Sequence, residues 1–266
     1  MSTALMPSGV QLWQVPQHGQ DVAAQTSLLS PQELSHLNAL TDAATRDRHV
    51  LARAALRVAL SRWMPAVAPQ DWRFTRSAHG RPELAGSLDA TSLSFNVAHT
   101  DDEIIVALSA DGRVGVDVEA LQRQADALAL ARRYFQPEEV AVLEALSVHQ
   151  RQQRFLELWT LKEACVKATG EGLARGLRRV GFTLDAASGI VPLSMAHEGD
   201  DAWQFWQWSL AGRHLVALAL QGGSEPCVVR WGRLQNLQPV EMDAPHLLRA
   251  SAAYQARMYS STNLEP

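Results

Sequence analysis

Residues 159–173 read WTLKEACVKATGEGL, and they contain the only two lysines, Lys162 and Lys167, of a 266-residue chain. The run 154–169 is apolar around most of a helix, which predicts a largely buried helix. Glu163 and Lys167 are four residues apart and so share a face of it. Buried charges are costly unless something pairs with them. The stretch therefore predicts a charged partner, either a metal ion or an anionic ligand. The alternative is an arginine-rich composition with two chance lysines.

Three strands are predicted upstream, over 91–98, 103–109 and 113–119, and the turns between them indicate a meander of tight hairpins. The third strand reads RVGVDVE, and its period of two puts Asp117 and Glu119 on one face. Two such carboxylates repel each other unless a cation lies between them. Oxygen ligands favour Mg²⁺ or Mn²⁺ over zinc. The alternative is an exposed polar face on an edge strand.

Glu163 is the candidate for a third metal-binding carboxylate, although spacing alone gives no distance between the strand and the helix. Before the strands, a helix is predicted over 42–63, and arginines that include Arg48 and Arg53 recur along it. Such a series is typical of a solvated helix face or of a local anion site. Residues 76–84 are rich in turn-forming residues and predict an ordered turn rather than an element.

After residue 173, strands are predicted over 180–184, 203–210 and 214–221. The order helix, helix, hairpin occurs once before Asp117 and once after it, which indicates two similar halves. We therefore expect an N-terminal half over 1–115, a C-terminal half over 116–223, and a partly disordered tail over 224–266.

The composition is that of a globular protein, with 47% hydrophobic and 20% charged residues. A formal net charge of −4 gives no electrostatic footprint for nucleic acid. Two cysteines argue against a disulfide framework and fit a reducing compartment. The first residues do not resemble a signal peptide, and no apolar run suits a membrane span. The sequence predicts a cytoplasmic protein that binds neither nucleic acid nor membrane.

Four motifs together resemble the 4'-phosphopantetheinyl transferase superfamily, and in particular its surfactin-synthetase type. The motifs stand in the family's order. Together with the predicted arginine-rich helix around Arg53, which is a weaker similarity, they cover about residues 40–185. The four motifs are GRPEL at 80–84, FNVAHT at 95–100, GVDVE at 115–119 and WTLKEACVKATGEGL at 159–173. One departure is Ala98, where many members have serine before the motif histidine.

The resemblance implies an α+β (α/β) monomer of two pseudo-symmetric halves, each a small, mostly antiparallel sheet packed with helices, with the active site in the cleft between them. It implies a Mg²⁺-dependent transferase that moves the phosphopantetheine arm of coenzyme A onto a serine of an apo acyl or peptidyl carrier protein. The other product is adenosine 3',5'-bisphosphate. Mn²⁺ is an alternative ion.

The resemblance also assigns residues. Asp117, Glu119 and Glu163 fall on the metal-binding acids, and Glu163 and Lys167 are the catalytic candidates. The candidates for binding coenzyme A are Arg48, Arg53, Arg81, His99, Lys162 and Lys167, with Arg81 standing where many members have lysine.

Two other functions remain open at this point. A catalytically silent module could bind coenzyme A or a carrier protein, but every acid and both lysines of the motifs are retained. A metal-dependent phosphohydrolase could use the same three carboxylates, but no additional histidine or aspartate motif accompanies them.

Overall fold

The computed structural model describes residues 8–77, 82–85, 93–170, 176–185, 189–195, 202–222 and 226–251. The chain forms two compact units, each built from two separate stretches of the sequence. The first unit comprises residues 1–111 and 228–244, and the second comprises 112–227 and 245–266. Both combine helices with antiparallel strand pairs, as the sequence predicted for an α+β fold.

The first unit is built on a five-stranded sheet with the strand order β12-β11-β1-β5-β4. Its strands are β1 (Val10–Pro16), β4 (Ser94–His99), β5 (Glu103–Ser109), β11 (Val229–Gln235) and β12 (Gln238–Val240). Strands β1 and β11 pair in parallel, and the other strand pairs described in this sheet are antiparallel. The helices are α1 (Val22–Gln25), α2 (Pro31–Asn38) and α3 (Ala43–Trp63). Buried side chains of α3 form one core with those of β1 and β5.

The N-terminal boundary of α2 is fixed by its cap, with Ser30 as the capping residue and Pro31 in the first turn. Ser30 accepts from the backbone N–H of Glu33, whose carboxylate accepts in turn from the Ser30 N–H, which makes a capping box. Glu33 also pairs with Arg57 of α3 at 2.6 Å. Arg57 is 1% exposed, and it donates to the carbonyls of Pro69 and Trp72. Arg57 therefore connects α3 to α2 and to the chain at residues 69–72.

The second unit contains a four-stranded antiparallel sheet with the order β13-β9-β10-β6. These strands are β6 (Arg113–Ala120), β9 (Trp203–Leu210), β10 (His214–Gln221) and β13 (His246–Ala250), and a separate hairpin joins β7 (Gly181–Asp185) to β8 (Gly189–Ser194). The helices are α4 (Ala127–Tyr134), α5 (Pro137–Ala145) and α6 (Val148–Thr169). Helix α6 packs on β6 and β10 and ends at Gly170 with φ +75°, a left-handed cap that glycine favours.

Two local predictions are corrected. Strand β5 pairs with β1 and β4, whereas β6 pairs with β10, so the predicted meander stops after its first hairpin. The chain leaves the first sheet at Asp111, whose carboxylate accepts from the Gly9 N–H at 2.6 Å. In the passage predicted as a turn, β2 (Phe74–Arg76) pairs with β3 (Pro82–Leu84) as short antiparallel strands.

The segment predicted as a tail supplies strands β11, β12 and β13 over its described part, residues 226–251. The division between the units after Asp111 also differs from the predicted boundary at 115, because β6 belongs wholly to the second sheet. The cleft between the halves stays a prediction. Among the described residues, no helix is both long and apolar enough to cross a membrane.

Candidate active site

Helix α6 and strand β6 touch backbone to backbone at Gly115. A Cβ added there would lie 2.0 Å from the Ala164 carbonyl oxygen and 2.4 Å from the Ala168 nitrogen. No real side chain tolerates such distances, so glycine is required for the close approach. Asp117 and Glu119 follow Gly115 at intervals of two and share its face of the strand. The helix and the strand therefore meet, which the spacing of the motifs alone did not establish.

Asp117 forms the centre of the site. Its side chain is 8% exposed, and its Oδ1 accepts from the Lys167 Nζ at 2.6 Å. Its Oδ2 is buried and has no hydrogen-bond partner among the described residues. Burial raises the pKa of Asp117, against the attraction of Lys167. An oxygen in this position is short of one electropositive partner.

Glu163 and Lys167 lie one turn apart on α6. Burial raises the pKa of Glu163 to about 7, and the negative charge of Asp117 contributes further. Its carboxylate makes no hydrogen bond to any residue within the described ranges. Burial lowers the pKa of Lys167, but the charges of Asp117 and Glu163 outweigh this effect, so that the pKa is raised overall. The ammonium is therefore held in its charged form.

Glu119 has a different set of partners. Burial and the charge of Asp117 raise the pKa of Glu119 to about 7. Its Oε1 pairs with Arg123, and a hydrogen bond from Trp159 also reaches it. Arg123 was not among the predicted site residues. The available signal was a cation four residues after Glu119, directly beyond the end of β6.

Burial raises the pKa of all three acids, Asp117 raises the pKa of Glu119 and Glu163 further, and Glu119 adds to the effect on Glu163, which together indicate a site suited to a cation. As they stand, however, no three histidine, cysteine or carboxylate side chains in the described part of the chain are arranged to hold one metal ion together. Lys167 and Arg123 instead pair with two of the acids. The charge repulsion between the acids and the unpartnered Oδ2 of Asp117 fit a divalent ion.

The role predicted for Lys162 is corrected. It was predicted to bind the coenzyme, but its side chain is fully buried and pairs with Glu139 of α5 at 2.6 Å. Its Nζ also donates to the carbonyls of Leu177 and Val180 and lies 4.6 Å from the centre of the Phe135 ring. The three donors of the ammonium are thus satisfied within the protein. Lys162 joins α5 and α6 to the chain before β7 and has no exposed surface for a ligand.

The other predicted coenzyme contacts belong to the first unit. Arg48 of α3 pairs with Asp101 at 2.7 Å and donates to the Thr45 hydroxyl. His99 ends β4, and its ring lies edge-on to that of His49, with the ring centres 5.9 Å apart. Burial lowers the pKa of His49, and the positive charges of Arg48 and Arg53 lower it further. This part of α3 is therefore electropositive.

Arg53 is half-buried on α3 and makes no hydrogen bond or ion pair within the described residues. Burial lowers its pKa; Glu33 opposes this effect, and Arg76 adds to it. A guanidinium in this environment is suited to binding an anion. Arg81 lies outside the described residues.

The comparisons with known proteins agree with the motifs. The family model of the 4'-phosphopantetheinyl transferase superfamily matches residues 113–219. A putative 4'-phosphopantetheinyl transferase of Synechocystis sp. is 36% identical over 170 residues, which cover 64% of this chain and 68% of that protein. The 4'-phosphopantetheinyl transferase HetI of Nostoc sp. is 33% identical over 176 residues, which cover 64% and 73%.

Among solved structures, a holo-(acyl-carrier-protein) synthase from Bacillus anthracis in complex with CoA covers 43% of this chain and 97% of its own, at 19% identity and a TM-score of 0.36. That similarity is too low to support an inference. The two relatives are each matched over more than two thirds of their length, at 36% and 33% identity, and the family model spans both Asp117 and Glu163. The chain belongs to the 4'-phosphopantetheinyl transferase superfamily.

Proposed function

We propose that this chain transfers the phosphopantetheine arm of coenzyme A onto a serine of an acyl or peptidyl carrier protein, in a Mg²⁺-dependent reaction. The observation that carries the proposal is the ion pair between Lys167 and Asp117 at 2.6 Å, within a group of three coupled acids. Phosphoryl transfer builds negative charge on phosphate oxygens, and fixed cations stabilise that charge. The finer assignment to the surfactin-synthetase type is supported by the four motifs in their order.

Asp117, Glu119 and Glu163 would hold the metal ion. All three offer oxygen ligands, which Mg²⁺ prefers. The unpartnered Oδ2 of Asp117 and the raised pKa values of Glu119 and Glu163, about 7 for each, support this assignment. When bound, the ion supplies positive charge to the diphosphate oxygens and so assists departure of the leaving group.

Glu163 is proposed to accept the proton of the carrier serine, directly or through a water. Without the metal ion its pKa is raised to about 7, which is in the range of a general base at neutral pH. The serine oxygen forms a bond to the β-phosphorus, the bridging P–O bond breaks, and adenosine 3',5'-bisphosphate departs. Lys167, whose raised pKa keeps it charged, balances the charge of the departing phosphate.

Arg48, Arg53, Arg81 and His99 are proposed to bind the phosphates of coenzyme A. The support comes from Arg53, a half-buried guanidinium without a partner among the described residues, and from the positive charges that lower the pKa of His49. Arginine suits phosphate because its planar donors bind two oxygens at once. Lys162 is left out of this set because its ammonium is enclosed in the protein.

The test is mass spectrometry of apo acyl and peptidyl carrier proteins incubated with the full chain, coenzyme A and Mg²⁺. We expect one phosphopantetheine mass on the carrier, no addition to a carrier whose acceptor serine is alanine, and no addition after chelation of the metal. Glu163→Gln should abolish transfer, and Glu241→Gln, which changes an exposed acid, should leave it intact.

Two results would contradict the proposal. Binding of coenzyme A or carrier without any added mass on several carriers would indicate a silent module. Release of inorganic phosphate without modification of the carrier would indicate a phosphohydrolase.

An unaltered rate of carrier modification in Asp117→Ala would disprove the metal assignment. Gel filtration of the protein alone tests whether it is the monomer that we propose.

A further inference from the structure

Arg123 is held in a defined position just beyond the end of β6. Its guanidinium pairs with the Oε1 of Glu119. Its backbone N–H donates to the Ala120 carbonyl at 2.9 Å, and its own carbonyl accepts from the Gln152 Nε2 of α6 at 2.8 Å. Side chain and backbone are thus both fixed, which distinguishes Arg123 from an ordinary surface arginine.

The same guanidinium lies over an aromatic ring of the site helix. Its central carbon is 5.6 Å from the centre of the Trp159 ring, one turn before Glu163 on α6. Trp159 in turn donates a hydrogen bond to Glu119. Planar stacking on an aromatic face is a contact that arginine makes well. Arg123 can keep this contact while it exchanges its other partner.

The partner of Arg123 is one of the three acids proposed to bind the metal. An arginine N–H and a divalent ion compete for the same carboxylate lone pairs. The Arg123 side chain is 37% exposed and the Glu119 side chain 15%, so the guanidinium has room to move and the carboxylate has little. Lys167 differs, because it pairs with Oδ1 of Asp117 and leaves Oδ2 available.

We propose that Arg123 is a positioning residue that competes with the divalent ion for Glu119 and thereby sets the metal affinity of the site. It holds Glu119 in place beside Asp117, and it yields the carboxylate when the ion binds. Its charge also repels the ion at close range. Both effects make metal binding weaker and more easily reversed than the acids alone would allow. This inference rests on the proposed function, because that function supplies the ion.

Binding of Mn²⁺ to the full chain, followed by electron paramagnetic resonance without coenzyme A, measures this directly. We expect Arg123→Gln to bind Mn²⁺ about 3- to 10-fold more tightly than the unaltered protein, as expected for loss of a partly exposed ion pair and a nearby charge. Arg123→Lys keeps the positive charge that repels the ion and should remain within about threefold of the unaltered protein, although lysine stacks less well on Trp159. Circular dichroism confirms that each variant is folded.

A residue that only supported the local structure would weaken metal binding when replaced. Equal or weaker binding in Arg123→Gln, relative to the unaltered protein, therefore overturns this inference and leaves the proposed function standing. If Arg123→Gln does not fold, binding by Arg123→Lys more than about threefold tighter or weaker overturns the inference, and unchanged binding supports it. If the unaltered protein binds no Mn²⁺, the proposed metal site fails, and this inference fails with it.

Discussion

Glu163 is a residue whose chemistry and whose effect on stability oppose each other. It is 6% exposed, and this burial, together with the charges of Asp117 and Glu119, raises its pKa to about 7. Removing its charge should therefore stabilise the folded chain while it removes the proposed base. At about pH 8 without metal, we expect Glu163→Gln to gain about 1–3 kcal/mol of unfolding free energy, since one pKa unit corresponds to ~1.36 kcal/mol.

The gain should appear as a higher melting temperature in a calorimetric scan, by roughly 2–4 °C for each kcal/mol. Carrier modification by the same variant should be lost. Glu241→Gln removes an exposed carboxylate and serves as the control, with neither effect. A Glu163→Gln protein less stable than the unaltered one would show that Glu163 is stabilised by its surroundings, contrary to its raised pKa.

The two raised pKa values also predict how stability depends on pH. Glu119 and Glu163 have an ordinary pKa of 4.5 and reach about 7 in the folded protein. The folded state therefore holds its protons more tightly than the unfolded state. The stability contributed by each group is fully present below pH 4.5 and is lost as the pH rises through about 7.

A bound divalent ion neutralises these carboxylates, so Mg²⁺ should raise the melting temperature more at about pH 8 than at about pH 5. Thermal unfolding at both values, with and without Mg²⁺, measures the difference. Ca²⁺ in place of Mg²⁺ separates charge neutralisation from the geometry that Mg²⁺ requires. An equal effect of Mg²⁺ at both pH values would contradict the pKa values assigned to the two acids.

At the residue scale, the sequence predicted the composition of the acidic group but not the roles of its cations. The strand period places Asp117 and Glu119 on one face, and the helix period does the same for Glu163 and Lys167, whereas the close approach at Gly115 brings the two pairs together. Lys162 was misassigned because motif position cannot reveal its distant partner Glu139. Its separation from the site depends on tertiary packing.

At the scale of elements, the contact of β6 with α6 depends on one glycine, Gly115, which has no side chain. Gly115→Ala would put a methyl group 2.0 Å from the Ala164 carbonyl oxygen, so helix and strand must separate. We expect a loss of about 3 kcal/mol of unfolding free energy, at the upper end of overpacking effects. Displacement of Asp117 from Lys167 should also lower the rate of carrier modification strongly.

Gly212→Ala is the matched control for this substitution. Gly212 has φ +65°, and nothing lies within 4 Å of an added Cβ, so alanine there costs only backbone strain of about 1 kcal/mol. Urea denaturation and the carrier assay compare the two variants. If Gly115→Ala is no less stable than Gly212→Ala, the close approach of helix and strand is wrong.

The sequence predicted single elements better than their partners. The bounds of β5, β9 and β10 are those expected, because alternation and the Ala211-Gly212 turn are local signals. Asp111-Gly112 is an equally strong turn signal, yet β5 and β6 join different sheets. Pairing depends on strands β1 and β10, which are far away in sequence.

At the scale of the whole chain, the C-terminal segment contributes to both units. Strand β11 lies beside β1 in the first sheet, and β13 lies beside β9 in the second. Sequence reasoning treated this segment as a tail because its strands are short and its hydrophobic residues sparse. Pairing with sheets formed mainly by earlier residues supplies order that the segment alone would lack.

One leucine and one valine substitution in this segment measure how much it contributes to the stability of the first unit. Leu234 of β11 is fully buried in the core of the first unit, whereas Val240 of β12 is 41% exposed. Leu234→Ala should cost about 2–5 kcal/mol, as a buried leucine does. Val240→Ala should stay within about 0.5 kcal/mol. Urea denaturation of both variants gives the comparison, and a loose tail would make the two costs equally small. A large cost for Leu234→Ala alone would mean that residues far beyond the family motifs support the unit that carries Arg48, Arg53 and His99.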